Sequence, residues 1–231
     1  MKTEKDFSGK HKGAVFITLG LLLIAAALSL VGYNLYDEAR AGESVGQAVA
    51  LLNQRIPTHV QEETSGDAQV ETDALYYEEE PVIPDYILSP KMDMPVETIN
   101  GKDYIGVLKI PALRRELPII SEWNMINLKV APCRYMGSAY LNNLIICGHN
   151  YTAHFLNLKR LHEGDTVSFT DMDGNEFIYQ VAALEAIPGN APEEMESGDW
   201  DLTLFTCTLG GRTRDTVRCV LVNCVANTNL E

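Results

Sequence analysis

The hydrophobic positions of this chain follow three successive patterns. From Ala14 to Tyr33 the chain carries no charge, and this run of about 20 residues is long enough to cross a bilayer as a helix. From Glu38 to Ile56 the apolar residues recur at the spacing of one helix face, which predicts a second helical stretch. From about Pro95 onward, short β-branched runs alternate with Pro, Gly, Asn and Asp, a pattern typical of many short strands.

The strand-like runs predict the fold class of the C-terminal part. They include "YIGVLKI", "NLIICGH", "EFIYQVAAL", "LTLFTC" and "TVRCVLV". Asp173-Gly174 lies between two such runs and is a hairpin signal, whereas only Tyr151 to Leu161 has apolar residues at helical spacing. We therefore predict a mainly β domain, either a barrel or a sandwich, with one or two short helices.

Segment boundaries follow from the same patterns. Pro57 ends the second helical stretch, and the residues from Glu62 to Asp85 include no Lys or Arg, which favours a solvated acidic linker. We predict a tail over 1–13, a transmembrane anchor over 14–36, a helical stalk and acidic linker over 37–94, and the β domain over 95–231.

Charge sets the expected orientation and limits the partners. Four lysines precede the apolar run and two acidic residues follow it, so the positive-inside rule predicts a cytoplasmic tail and an extracellular β domain. A cleaved signal peptide is the alternative, because Ala39-Arg40-Ala41 resembles a cleavage site, although the apolar run is unusually long for one. The formal net charge of −14 opposes binding to nucleic acid.

Five cysteines leave one thiol unpaired in any set of disulfides, and an odd thiol in an exported protein is a candidate for reactivity. No CxxC pair is present, so we predict no zinc site, and the acidic residues form no recognisable calcium loop. We expect no cofactor. Four of the cysteines are expected to be small buried residues, namely Cys133, Cys147, Cys219 and Cys224.

The fifth cysteine, Cys207, ends the run "LTLFTC" and is followed by a glycine turn and a strand that carries arginines. A period of two puts Arg214 and Arg218 on one face of that strand, while Arg212 lies in the turn. A nearby guanidinium stabilises a thiolate or an oxyanion but cannot act as a base. His149, at the end of the strand-like run "LIICGH", is the best-placed acid and base, whereas His154 and His162 lie in the helical-looking segment, where surface roles are commoner.

These residues resemble the sortases, the membrane-anchored cysteine transpeptidases of Gram-positive bacteria. Thr203 to Cys207 matches every fixed position of the TLxTC motif, with an upstream "GHN" and an opening strand "IGVLKIP", and the resemblance extends from about Asp103 to Val225. It implies a closed β-barrel with Cys207 as nucleophile and His149 as acid and base. The arginine is assigned to Arg214 in preference to Arg218 or Arg212, and the short "TLGG" turn resembles class B or D members.

The resemblance also implies a reaction and its partners. Cys207 would attack an LPxTG-like sorting motif at the C-terminus of a secreted protein, and an amine from a cell-wall precursor or a pilin lysine would resolve the thioacyl intermediate. Two alternatives stay open at this point. One is an L,D-transpeptidase-like enzyme that cross-links peptidoglycan, which would call for a glycine before the cysteine; the other is a non-catalytic exported β-barrel that binds a ligand.

Overall fold

The computed structural model describes residues 7–57, 83–208 and 210–227. Most of the predicted acidic linker, His59 and the first residues of the predicted tail lie outside these ranges. By contacts the chain divides into two compact units, Met1–Arg40 and Ala41–Glu231.

The first unit contains the whole apolar run, Ala14 to Tyr33, inside helix α1 (Phe7–Arg55). Its large apolar side chains are more than half exposed. The hydroxyls of Thr18 and Ser29 bond to the helix backbone: Thr18 Oγ1 donates to Val15 O at 2.9 Å and Ser29 Oγ donates to Ala25 O at 2.9 Å. Unpaired polar groups are costly in hydrocarbon, so this pairing suits a membrane-spanning helix. Among the described residues, α1 is the one helix long and apolar enough to cross a bilayer.

The C-terminal turns of α1 belong to the second unit. The predicted helical period is confirmed, and the structure adds that its apolar face packs into the main hydrophobic cluster of this unit instead of facing solvent. Asn53 Nδ2 donates to Glu116 Oε1 at 2.8 Å, and Arg55 forms an ion pair with Glu97. The buried residues on this face are Ala41, Val45, Ala48 and Leu52.

Within the described residues nine strands form one sheet, in the order β1-β2-β3-β4-β5-β8-β9-β7-β6, and β2 also pairs with β6. Eight strands therefore make a closed ring, with β1 paired to β2 beside it. The β3–β4 and β5–β8 pairs are parallel and the others are antiparallel. The strands are β1 (Glu97–Ile99), β2 (Lys102–Ile110), β3 (Arg115–Ile120), β4 (Cys133–Met136), β5 (Leu144–Gly148), β6 (Thr166–Asp171), β7 (Glu176–Pro188), β8 (Leu202–Cys207) and β9 (Thr213–Val225).

The ring closes where Gly106 of β2 faces Asp171 of β6. Gly106 has φ of +152°, and a Cβ at this position would lie 2.1 Å from Thr170 O. A side chain would thus push the two strands apart, so glycine at this position permits their pairing. The Asp173-Gly174 hairpin predicted between β6 and β7 is confirmed.

Short helices precede or connect the strands: α2 (Asp85–Leu88) before β1, α3 (Met125–Leu128) between β3 and β4, and α4 (Pro192–Glu196) between β7 and β8. The expectation of a helix over Tyr151–Leu161 is wrong, because this segment is a series of turns with a single 3₁₀ turn at Leu158–Arg160. Its three spaced apolar residues, Phe155, Leu158 and Leu161, are all buried. The spacing of these three residues therefore reflects their burial and not a helical backbone.

Candidate active site

Strand pairing brings the three predicted site residues to the same end of the sheet. In the antiparallel β8–β9 pair, Cys207 stands directly opposite Arg214. In the parallel β5–β8 pair, Gly148 stands opposite Thr206, so His149 follows β5 at the level of Cys207. Directly opposed residues project to the same face of a sheet, so Cys207 and Arg214 share one face.

His149, Cys207 and Arg214 line a groove of about 360 Å³. Cys147 also lines it, as the alternation of β5 predicts, because Cys147 and His149 share a face. The rest of the wall is mainly apolar and comes from α3 and the residue Trp123 before it, from β4 and β8, from the end of β7 with the loop after it, and from α4. These residues are Trp123, Met125, Leu128, Tyr135, Pro188, Gly189, Ala191, Pro192, Met195 and Phe205.

Position distinguishes the three candidate arginines. Arg214 is half-buried in the groove, and its Nη1 donates to Gly211 O at 2.9 Å and to Thr213 O at 3.2 Å. Arg212 is exposed in the turn, and Arg218 is buried at 2% exposure. Neither Arg212 nor Arg218 lines the groove. The geometry therefore favours Arg214, the residue selected from the sequence.

Gly189 lines the same groove, although no pattern in the sequence indicated it. A Cβ at this position would lie 2.9 Å from Arg214 Nη1 and 3.0 Å from Gly211 O. The Gly189 amide also donates to Arg212 O at 2.8 Å, so its backbone is held against the β8–β9 turn. Gly189 thus leaves the space in which the Arg214 guanidinium lies.

The five cysteines are all free thiols, and their environments differ. Burial raises the pKa of Cys147 and of Cys219 to about 12, and burial raises the pKa of Cys133 further. Cys224 is only half-buried, contrary to expectation, and its Sγ lies 3.0 Å from the Tyr86 hydroxyl, with its pKa raised by desolvation. Cys207 is half-exposed and lines the groove, whereas Cys147, the other thiol of the groove, is buried.

His149 is held by its neighbours at the end of β5. Its ring stacks on Tyr151 with centroids 4.7 Å apart, and its carbonyl oxygen accepts from the Phe155 amide at 3.1 Å. A Cβ on Gly148 would lie 2.6 Å from Phe155 Cδ2, so glycine before the histidine lets the turn fold back on the strand. The "GH" pair therefore has a packing reason as well as a chemical one.

His154 is not a surface residue, as the sequence had suggested, whereas His162 is exposed. The His154 ring is 2% exposed and packs 5.4 Å from the Tyr151 ring, which lies between His149 and His154. Burial, and to a lesser extent the proximity of His149, lowers the pKa of His154 to about 4. His154 is therefore neutral at pH 7.

This buried imidazole predicts a loss of stability in mild acid. His154 has a pKa of about 4 when folded and 6.5 as its ordinary value, so below pH 6.5 the unfolded chain binds a proton that the folded chain does not. The contribution of His154 should therefore lower the free energy of unfolding by about 3 kcal/mol between pH 6.5 and pH 4. Denaturant titrations of full-length protein should show a shallower fall for His154→Leu, while His162→Leu should follow the wild type. Identical pH slopes for His154→Leu and wild type would contradict the assignment.

Over residues 7–57, 83–208 and 210–227, no group of three or more His, Cys, Asp or Glu side chains could hold an ion. The most buried carboxylate, Asp171, accepts from the Tyr140 hydroxyl at 2.7 Å and from Asn175 Nδ2 at 2.9 Å. The Asp171 oxygens therefore accept hydrogen bonds within and around the β6–β7 turn.

Comparison with known proteins identifies the domain. The family model described as "Sortase domain" matches residues 108–224, just over half of the chain. No curated protein matches the chain.

Several solved structures are similar in fold. Sortase A from Corynebacterium diphtheriae is 22% identical with a TM-score of 0.46, over 55% of this chain and 64% of that one. Streptococcus agalactiae sortase C1, in complex with MTSET, is 23% identical with a TM-score of 0.46, over 54% and 70%. Streptococcus pneumoniae sortase C is 21% identical with a TM-score of 0.47, over 55% and 71%. The chain thus spans less than two thirds of the diphtheria protein, and the class B or D subgroup stays a prediction.

Proposed function

Because this chain belongs to the sortase family, we propose that it is a membrane-anchored cysteine transpeptidase with Cys207 as nucleophile, His149 as acid and base, and Arg214 as oxyanion-binding group. The observation that carries the proposal is the lining of one groove by a half-exposed thiol, an imidazole and a guanidinium. The sortase assignment does not favour the L,D-transpeptidase alternative, and threonine, not glycine, precedes Cys207.

In the first half-reaction, the Cys207 thiolate attacks the carbonyl carbon of the scissile peptide bond in an LPxTG-like sorting motif. Arg214 donates hydrogen bonds to the oxyanion that forms. When the C–N bond breaks, protonated His149 transfers its proton to the departing amine nitrogen. The products of this step are an S-acyl Cys207 and a free C-terminal fragment of the substrate.

In the second half-reaction, an amine of a cell-wall precursor or a pilin lysine attacks the thioester carbonyl. Neutral His149 accepts the proton that the attacking nitrogen loses, and Cys207 departs as a thiolate. The new amide bond joins the secreted protein to the acceptor, and the enzyme returns to its starting protonation state. Ping-pong kinetics follow from the covalent intermediate.

The groove suits an extended peptide with apolar side chains. Its walls include Trp123 and Met125, which are 46% and 61% exposed, and also Pro192 and Met195 of α4. Exposed apolar side chains gathered around a polar centre are typical of a ligand groove. The leucine and proline of the sorting motif would bury their side chains on these walls.

Membrane attachment places the proposed enzyme beside its substrates. The apolar part of α1 would be the anchor over 14–36, with the tail over 1–13 in the cytoplasm and the segments over 37–94 and 95–231 outside the cell. Secreted proteins and wall precursors both meet the membrane on that side. We therefore place the reaction at the outer surface of a Gram-positive cell membrane.

Capture of the acyl-enzyme tests the proposal directly. Full-length protein in detergent is mixed with a library of LPxTG-like peptides, and intact-mass spectrometry should detect one acyl adduct, located at Cys207 by peptide mapping. Hydroxylamine should release the adduct as a hydroxamate, because this amine attacks thioesters. If no peptide of the library forms an adduct with any cysteine, a non-catalytic binding protein becomes the better interpretation.

Gly189→Ala should reduce activity by crowding Arg214. The added Cβ would lie 2.9 Å from the Arg214 guanidinium, which must shift out of its position in the groove. A displacement of about 1 Å at a catalytic group lowers rates about 10²-fold, so we expect a loss of about 10- to 100-fold in kcat/KM for a sorting-motif peptide. Gly46→Ala is the matched control, because a Cβ at Gly46 meets nothing within 4 Å. Wild-type kinetics for Gly189→Ala would refute the placement of Arg214 against this glycine.

A further inference from the structure

Arg218 is a buried charge that the proposed chemistry does not use. Its side chain is 2% exposed, and burial of an unpaired guanidinium would be strongly unfavourable. Four hydrogen bonds compensate: Nε donates to Glu185 Oε2 at 3.1 Å, and Nη1 donates to Met195 O at 2.7 Å and to Thr203 Oγ1 at 3.0 Å. Nη2 donates to Glu194 O at 2.6 Å.

Two of these acceptors are carbonyls at the C-terminal end of α4. The last carbonyls of a helix have no partner inside the helix, and a positive charge is favourable beside them. Arg218 supplies both the donors and the charge to Glu194 O and Met195 O from strand β9. Because α4 has only five residues, these contacts from outside contribute a large share of what holds it in place.

The same helix forms one wall of the groove. Ala191, Pro192 and Met195 line the groove, and the Met195 side chain packs with Ile145 and Ile187 in a small hydrophobic cluster. Thr216 Oγ1 lies 3.8 Å from Met195 Sδ as a further contact from β9. Arg218 therefore connects the groove wall to β9, the strand that also bears Arg214.

The contact with Thr203 extends this connection to the nucleophile strand. Thr203 opens the TLxTC motif, stands directly opposite Arg218 across the β8–β9 pair and is 1% exposed. Its hydroxyl accepts from the same Nη1 that bonds to Met195 O. The first threonine of the motif thus has a role that is separate from the chemistry at Cys207.

We propose that Arg218 is a positioning residue, which holds α4 against β8 and β9 and so shapes the groove wall that contacts the apolar part of the substrate. This role rests on the proposed function for its effect on substrate. A guanidinium reaches Glu185, Thr203 and the two α4 carbonyls at once through its planar fork of donors, whereas an ammonium on a lysine stem cannot. Arg218 sets substrate affinity, while Arg214 acts on the reacting atoms.

Kinetics of Arg218→Lys in the full-length protein test the role. We expect KM for a sorting-motif peptide to rise by about 10-fold, with kcat within about 2-fold of wild type, because loss of ground-state binding raises KM alone. Thr203→Val removes a single acceptor and should raise KM by about 3-fold, which keeps the test decisive if Arg218→Lys does not fold. Arg212→Lys, in the exposed turn, should match the wild type. A fall in kcat with unchanged KM, in either Arg218→Lys or Thr203→Val, would overturn the proposal.

Hydrogen–deuterium exchange separates this role from the proposed function. In the peptide-free protein, the backbone amides of residues 193–196 in α4 and of the residues just after it should exchange at least about 10-fold faster in Arg218→Lys than in wild type, with β8 unchanged. Unchanged exchange in α4 would overturn the positioning role even if the enzyme is an active sortase. Faster exchange in a protein that cleaves no sorting motif would support the positioning of α4 and reject the proposed function alone.

Discussion

Replacing Cys207 with alanine is expected to abolish cleavage of sorting-motif peptides, with a loss of at least about 10⁴-fold in kcat/KM. Without a sulfur at this position no thioester forms, and water attacking the peptide bond directly would lack the positioned nucleophile. Quenched-fluorescence peptides and mass spectrometry of the products measure the loss. The Cys207→Ala protein should still bind the peptide, because the walls of the groove are unaltered.

The matched control is Cys147→Ala. Cys147 lines the same groove, but burial raises the pKa of its thiol to about 12, so little thiolate exists at neutral pH. We expect this variant to retain kcat within about 3-fold of wild type. Alkylation with iodoacetamide should modify Cys207 well before the three buried thiols, Cys133, Cys147 and Cys219. Turnover by Cys207→Ala at the wild-type rate would disprove the proposed mechanism.

The second large effect is expected for His149→Ala, with a loss of about 10²- to 10⁴-fold in kcat. Without the imidazole, the departing amine must leave unprotonated and the acceptor amine must lose its proton to water. The loss should be much smaller for acylation by a substrate with a thioester or aryl ester at the scissile position, since such leaving groups need no proton. This contrast between two substrates reports the proton-transfer role specifically.

His162→Ala is the control for His149, because the His162 side chain is exposed, whereas that of His154 is buried. It should cleave both substrate types at wild-type rates. Equal losses of His149→Ala on the peptide and on the activated ester would contradict acid catalysis and indicate a structural role for the ring. The stack of His149 on Tyr151 makes that structural outcome a real competitor, so both substrates are needed.

Much of the fold could be predicted because it is encoded locally. The apolar run and the helical period after it predicted α1, and the alternation of short apolar runs predicted a mainly β domain. The turn at Asp173-Gly174 could be predicted for the same reason, since the residues that favour the turn are the turn residues themselves. The segment Tyr151–Leu161 was misread because apolar spacing reports which residues are buried, and a turn packed on a sheet can bury residues at the same spacing as a helix.

The candidate site was predictable only in part. Cys207 and His149 each stand at a strand end, and the motif around Cys207 marked it directly. Arg214 and Arg218 lie on the same face of β9 by the same period, so pattern alone could not separate them. The position of α4 separates them, because it covers Arg218 and leaves Arg214 beside the groove.

By itself, the sequence determined the long apolar helix, the strand-rich class and the identity of the nucleophile candidate, because each depends on residues that are neighbours along the chain. Only the tertiary structure decided the roles that depend on distant segments. Gly189 makes room for Arg214, and α4 covers Arg218 through contacts spanning 23 and 24 residues of sequence. His154 is buried by packing that its own neighbours do not reveal. Burial and charge pairing depend on which distant segments come together in the fold. The local sequence pattern does not predict those contacts.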